Sequence, residues 1–270
     1  MRFFVHRKLT DDQTIGHFIE LNTKRRIFIV TKLAKDFDQQ NEYQKVLTMV
    51  SLIEQYVAAT EDLMKTYWVL RRITEDSTVP PLKAYLDVQV DERNKSQFST
   101  KRLNVLVRKA TRTSFIRDLG LPQPKRIELL DSWLEKANLL PPNPTRVAVY
   151  ENYIDGIIKF LRNTGKNRSR HRNSGGSLVN IYNKIKHGNL FFYDSSKHIV
   201  VFPVRASARR NWYRIAISPV DQKTIDIFAK EIFDIHGFHY TLLFLRLLAD
   251  DPQKAINAIQ RYRQVNITNP

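Results

Sequence analysis

Residues 42–73 run for 32 positions without a glycine or a proline, and no other feature of the chain constrains its fold as strongly. Along them Val46, Val50, Ile53, Tyr56, Val57, Met64, Tyr67 and Trp68 recur at spacings of three and four, the period of one helical face. The spacing predicts one long helix, and Val79-Pro80-Pro81 marks where the chain turns away. Shorter helices are expected over 100–119, ending near Gly120, over 125–139, over 147–161, and over 178–188, closed by Gly188. A final helical region is expected over 221–248 and 252–263. β-branched and aromatic runs at 191–193, 197–204 and 212–218 predict a small antiparallel meander. Near the N-terminus, 16–21 and 26–31 fit a hairpin across Asn22-Thr23-Lys24, or else a helix that begins there. The expected fold class is mainly α, with small antiparallel β segments near the N-terminus and around residues 190–218.

The chain has 270 residues and no cysteine, which excludes a disulfide scaffold, a zinc ribbon, an iron–sulfur cluster and a thiol nucleophile. Nothing in it calls for an oxidising compartment, so a cytoplasmic location is expected. Apolar runs such as 27–30 and 199–204 fall far short of the ~20 residues of a membrane span, so no membrane partner is expected. The formal charge is +17, from 44 Lys and Arg against 27 Asp and Glu. Its distribution is uneven. Residues 93–117 hold eight cations and no carboxylate, and residues 156–220 hold thirteen cations with Asp194 as the one acid. Like charges at close spacing repel, so a polyanionic partner is implied, and nucleic acid is the commonest. A plain solvated surface is the alternative.

Residues 162–177 contain no apolar side chain, so they are expected to form an exposed loop. Arg168, Arg170 and Arg172 in that loop are candidates for phosphate contact, as are Lys186 and the outward-facing Arg108, Lys109 and Arg112 of the basic helix at 100–119. The strongest local signal is Tyr182-Asn183-Lys184-Ile185-Lys186-His187-Gly188. On a helix Asn183 and His187 share a face, with Lys184 one turn before the histidine. An imidazole can take and give a proton near neutral pH, a carboxamide can orient a phosphate, and an ammonium can balance charge on a phosphorane. Metal-free RNA cleavage through the 2′-hydroxyl needs those three groups. The plainer alternative is that His187 caps or packs a helix end.

His236 and His239 stand three apart, a spacing that can bind a metal, but no nearby cluster completes a site, so a packed or exposed pair is expected. The scattered glycines make no phosphate-cradling loop, and no cofactor is expected. Tyr182, Phe191, Phe192, Tyr193, Trp212 and Tyr213 lie in the basic part and are able to stack on bases, although such residues more often belong to a core.

The string from Asn183 to Gly188, late in an α-helical stretch, resembles the motif of HEPN domains. The resemblance covers 42–188 and implies an up-and-down helical bundle over about 41–190, preceded by an N-terminal segment. Residues 191–270, a β meander plus C-terminal helices, would pack on that bundle. It also implies a homodimer whose two motifs face one composite ribonuclease site, with His187, Asn183 and Lys184 in catalytic roles. Glu61 matches the acidic residue that often supports such a site from the first helix. Where the family motif has arginine before the asparagine, this chain has Tyr182, which lacks the cationic fork that would hold a phosphate. Three readings follow: a metal-independent endoribonuclease, a non-catalytic RNA- or DNA-binding module, and an assembly protein using its C-terminal helices.

Overall fold

The uninterrupted stripe folds as one 34-residue helix, Glu42–Glu75. It starts where Asn41 and Gln44 cap each other reciprocally: the Gln44 N–H donates to Asn41 Oδ1 at 2.9 Å and the Asn41 N–H to Gln44 Oε1 at 3.1 Å. The computed structural model describes residues 25–90, 100–127, 146–170, 191–207 and 212–250. In chain order its elements are α1 (25–35), a 3₁₀ turn (Phe37–Gln39), α2 (Glu42–Glu75), α3 (Pro81–Val90), α4 (Thr100–Lys109) and α5 (Arg112–Asp118). After a helical turn at 124–127 come α6 (Arg146–Arg170), β1 (Phe192–Asp194), β2 (Ile199–Ser207), β3 (Trp212–Pro219) and α7 (Gln222–Asp250). The fold is mainly α with one small antiparallel sheet, and no described helix is long and apolar enough to cross a membrane.

The chain parts into two compact units, each discontinuous in sequence: Met1–Leu63 with Thr164–Gly237, and Met64–Asn163 with Phe238–Pro270. In the first, α1, residues 42–63 of α2, the sheet and the first half of α7 bury Val30, Met49, Ile53, Phe202 and Ile232. Residues 26–31 follow the helical alternative and not the strand. Although Ile27, Ile29 and Val30 favour a strand locally, the helix buries Val30 completely and lets Arg26 reach Asp62 of α2 at 2.6 Å. The strands pair in the order β1-β2-β3, with Phe192 opposite Val201 and Val201 opposite Ile217. Val200, Phe202 and Ser218 form the buried face, where the Ser218 hydroxyl donates to Met49 Sδ of α2 at 3.6 Å.

In the second unit, residues 64–75 of α2, with α3 to α5, residues 146–163 of α6 and the end of α7, bury Tyr67, Leu70, Val107, Phe115, Ile154 and Leu245. The Tyr67 and Phe115 rings lie 5.8 Å apart, and the Tyr150 hydroxyl donates to the Pro122 carbonyl at 2.6 Å. Two expectations are corrected. The single helix over 100–119 is two, because Thr111 is extended and forms a capping box with Ser114 that starts α5 afresh. The loop foreseen from 162 is helical as far as Arg170. Arginine and lysine favour the helix, and an established helix adds further residues at little cost. The helix expected at 125–139 is described only through Ile127, and those at 178–188 and 252–263 lie outside the described residues.

α5 ends in a Schellman motif, with the Leu121 N–H donating to the Ile116 carbonyl and the Gly120 N–H to the Arg117 carbonyl. Gly120 has φ +60°, and a Cβ there would stand 2.5 Å from Arg246 Nη1 and 2.8 Å from Thr74 Oγ1. Gly120→Ala is therefore expected to lower stability by at least about 1–2 kcal/mol, read from urea unfolding at unchanged m-value.

Candidate nucleic-acid interface

The candidate catalytic string lies outside the described residues: His187, Asn183, Lys184 and Lys186 fall in 171–190, as does Arg172. Arg168 and Arg170 belong to the last turn of α6, within a helix and not a loop. Glu61 sits half-buried on α2 and makes no ion pair with a described residue.

The first basic block is less free than its sequence suggests. Arg112, at the start of α5, forks onto Asp155 of α6 with Nε–Oδ1 3.1 Å and Nη2–Oδ2 2.5 Å, and its Nη1 lies 2.6 Å from Glu151 Oε2. The hydrogen bond from Arg112 holds the Asp155 carboxyl below its ordinary pKa, and the carboxylates in turn raise the guanidinium. Arg117 lies 3.0 Å from Asp118. Glu151 and Asp155 are four residues apart on a helix remote in sequence from 93–117, so a count along the chain sees no carboxylate where the fold supplies two. Arg108 and Lys109 are exposed in the last turn of α4 and have no ion pair with a described residue.

Arg162 is also structural. Its Nε donates to the Val107 carbonyl at 3.0 Å, which also accepts the Ala110 N–H, and its Nη2 to the Ala110 carbonyl just past the end of α4. An open cleft of about 380 Å³ is lined by Arg117, Arg126 and Arg246. Arg246 Nη1 donates to the Gly120 carbonyl at 2.9 Å, and Arg126 Nη1 to the Ala249 carbonyl, near the end of α7, at 3.4 Å. Helix-end carbonyls therefore account for both guanidiniums.

His236 and His239 are buried, and the His239 ring nitrogens lie 3.4 and 3.5 Å from Thr66 Oγ1. Among the described residues no group of three or more His, Asp or Glu is placed to hold a metal ion. Of the candidate aromatic residues, Phe191 packs on Phe202 with centroids 6.1 Å apart, Phe192 is exposed, and Tyr193 reaches His198 Nδ1 at 3.2 Å. Comparison with protein-family models, with curated proteins and with solved structures returns no match.

Arg162→Ala removes the donor to the Ala110 carbonyl and one of the two donors to the Val107 carbonyl, so it is expected to cost about 1–3 kcal/mol in urea unfolding, whereas Arg108→Ala and Lys109→Ala are expected to stay within about 0.5 kcal/mol. Asp155, with its folded pKa lowered, stabilises the chain above its ordinary value of 3.8 and loses that contribution as pH falls through the folded value. Asp155→Asn has no such contribution to lose. The gap in urea midpoint between wild type and Asp155→Asn is therefore expected at neutral pH and should close as pH drops below 3.8.

Proposed function

We propose that the chain is a nucleic-acid-interacting, HEPN-like protein that holds RNA through the cations of residues 156–220 and cuts it without a metal at His187. The observation that carries this is the charge of that segment, thirteen Lys and Arg against Asp194. Such an excess has a physical use against phosphates, where each neutralised charge releases a condensed counterion. Of the first block's described cations, Arg112 and Arg117 pair with carboxylates, which leaves Arg108 and Lys109 without an ion pair among the described residues.

In the cleaving step His187 takes the proton from the 2′-hydroxyl, Asn183 orients the phosphate, and Lys184 offsets charge on the phosphorane. Glu61 supports the site from α2, and two protomers bring their motifs together, with Arg168, Arg170 and Arg172 beside them. Tyr182 favours a second reading. Without the cationic fork at that position, the same protein binds RNA or DNA and does not cut.

One set of measurements separates the readings. The nuclease reading expects purified protein to cut structured RNA in EDTA and His187→Ala to abolish cutting. Full activity in His187→Ala would overturn the mechanism. Both readings expect affinity to fall steeply with salt. The combined Arg168→Ala, Arg170→Ala and Arg172→Ala variant is expected to reduce the slope of log K against log[salt] by about 2. Salt-independent binding would contradict both.

A further inference from the structure

The cleft of about 380 Å³ draws its three arginines from different parts of the chain: Arg117 near the end of α5, Arg126 in the helical turn at 124–127 and Arg246 in α7. All of its lining residues belong to the second compact unit. Like charges brought together repel, and a concave surface concentrates the field that they make. No aspartate or glutamate lines this cleft, and apolar Leu121 and Pro122 form part of its wall. Its volume falls within the range of about 300–1,000 Å³ common to small-ligand sites.

The fold fixes where these head groups sit. A Cβ on Gly120 would stand 3.1 Å from Arg246 Cζ, so the glycine makes room for a guanidinium against the backbone, and Arg246 Nη1 donates to the Gly120 carbonyl at 2.9 Å. Arg126 is exposed, with one bond to the Ala249 carbonyl at 3.4 Å and no ion pair with a described residue. A guanidinium has five N–H donors, so one carbonyl bond leaves the Arg126 fork able to take an anion. Arg117 is 74% exposed, and its Nε and Nη2 both donate to a single oxygen, Asp118 Oδ1. Asp118 balances one of the three guanidiniums, which leaves the cleft two positive charges. A carboxylate or a phosphodiester brings one negative charge, whereas a phosphomonoester brings about −1.5 to −2 at neutral pH and three acceptor oxygens.

We infer that the cleft lined by Arg117, Arg126 and Arg246 is a binding site for a phosphomonoester, the terminal phosphate of a free nucleotide or of a nucleic-acid strand. None of these residues lies in 156–220, so the site stands apart from the reading above. The test titrates the full chain with thymidine 5′-monophosphate by calorimetry, then compares 5′-phosphorylated with 5′-hydroxyl oligothymidine by fluorescence anisotropy. One-to-one binding of the monophosphate is expected, weakened about tenfold by Arg117→Ala and by Arg126→Ala, as for loss of one charged hydrogen bond. Lys223→Ala, which removes an exposed charge from the other compact unit, should leave it unchanged. All three positions are exposed, and circular dichroism should show wild-type helix content in each variant. A 5′-phosphate that raises oligothymidine affinity supports the site with a strand end as the source, and one that adds nothing, beside a bound monophosphate, supports it with a free nucleotide. Absence of monophosphate binding would overturn the site, as would an equal loss in Lys223→Ala, the sign of general attraction to a cationic chain. Asp250 and Asp251 follow Ala249 in the sequence. Binding that emerged only in the Asp250→Asn, Asp251→Asn variant would assign the cleft to the chain's own carboxylates and overturn the site as well. Oligothymidine held in a salt-dependent way without monophosphate binding leaves the nucleic-acid reading standing and removes the site. The reverse result removes that reading and keeps the site.

Discussion

Burial of the α2 stripe is the constraint on which the rest of the structure depends. Met49, Leu52, Ile53 and Leu63 are all completely buried, and full burial of such a side chain contributes about 1.5–3 kcal/mol relative to exposure. Each compact unit draws on its own part of this helix. Residues 42–63 line one core, with Met49 against Ser218 of the sheet, and residues 64–75 line the other, with Tyr67 against Phe115. A net charge far from zero opposes the compact state through self-repulsion, and the burial along α2 works against it.

Charge has two roles in this protein, and fold context separates them. Arg112 and Arg162 stand in or beside basic runs, yet each is spent on internal acceptors, one on two carboxylates of α6 and the other on two carbonyls at the end of α4. Arg26 on α1 likewise binds Asp62. Arg108 and Lys109 occupy the same helix end as the carbonyls that Arg162 satisfies, but are themselves exposed. The difference comes from position on the helix and not from residue type.

Much of the fold was legible in the sequence because it depends on local periodicity. The long helix, the meander and the start of the C-terminal helix at Asp221 all follow from spacing and turn chemistry, and the Asp221 carboxylate indeed caps the Thr224 N–H at 2.7 Å. The departures have physical reasons. Thr111 and Ser114 break a continuous apolar pattern through a capping box, a side-chain effect that periodicity ignores. Residues 162–170 lack any apolar position yet continue α6, since an established helix adds residues at little cost. Ile27 to Val30 look like a strand until α2 supplies Asp62 for Arg26. At the candidate site, the sequence marked Arg112 as outward, but its acceptors lie about 40 residues away, beyond the reach of any local pattern. The row of Phe192, Val201 and Ile217 needed the register of three strands before it could be seen.

The central claim is that cations gathered in residues 156–220 meet a phosphodiester. Photo-crosslinking of single-stranded RNA to the full chain, with adducts mapped by mass spectrometry, tests it most directly. The account requires the adducts to concentrate in that segment, with a minor set near Arg108 and Lys109. Bound RNA whose adducts fall instead on the acidic remainder of the chain would contradict it.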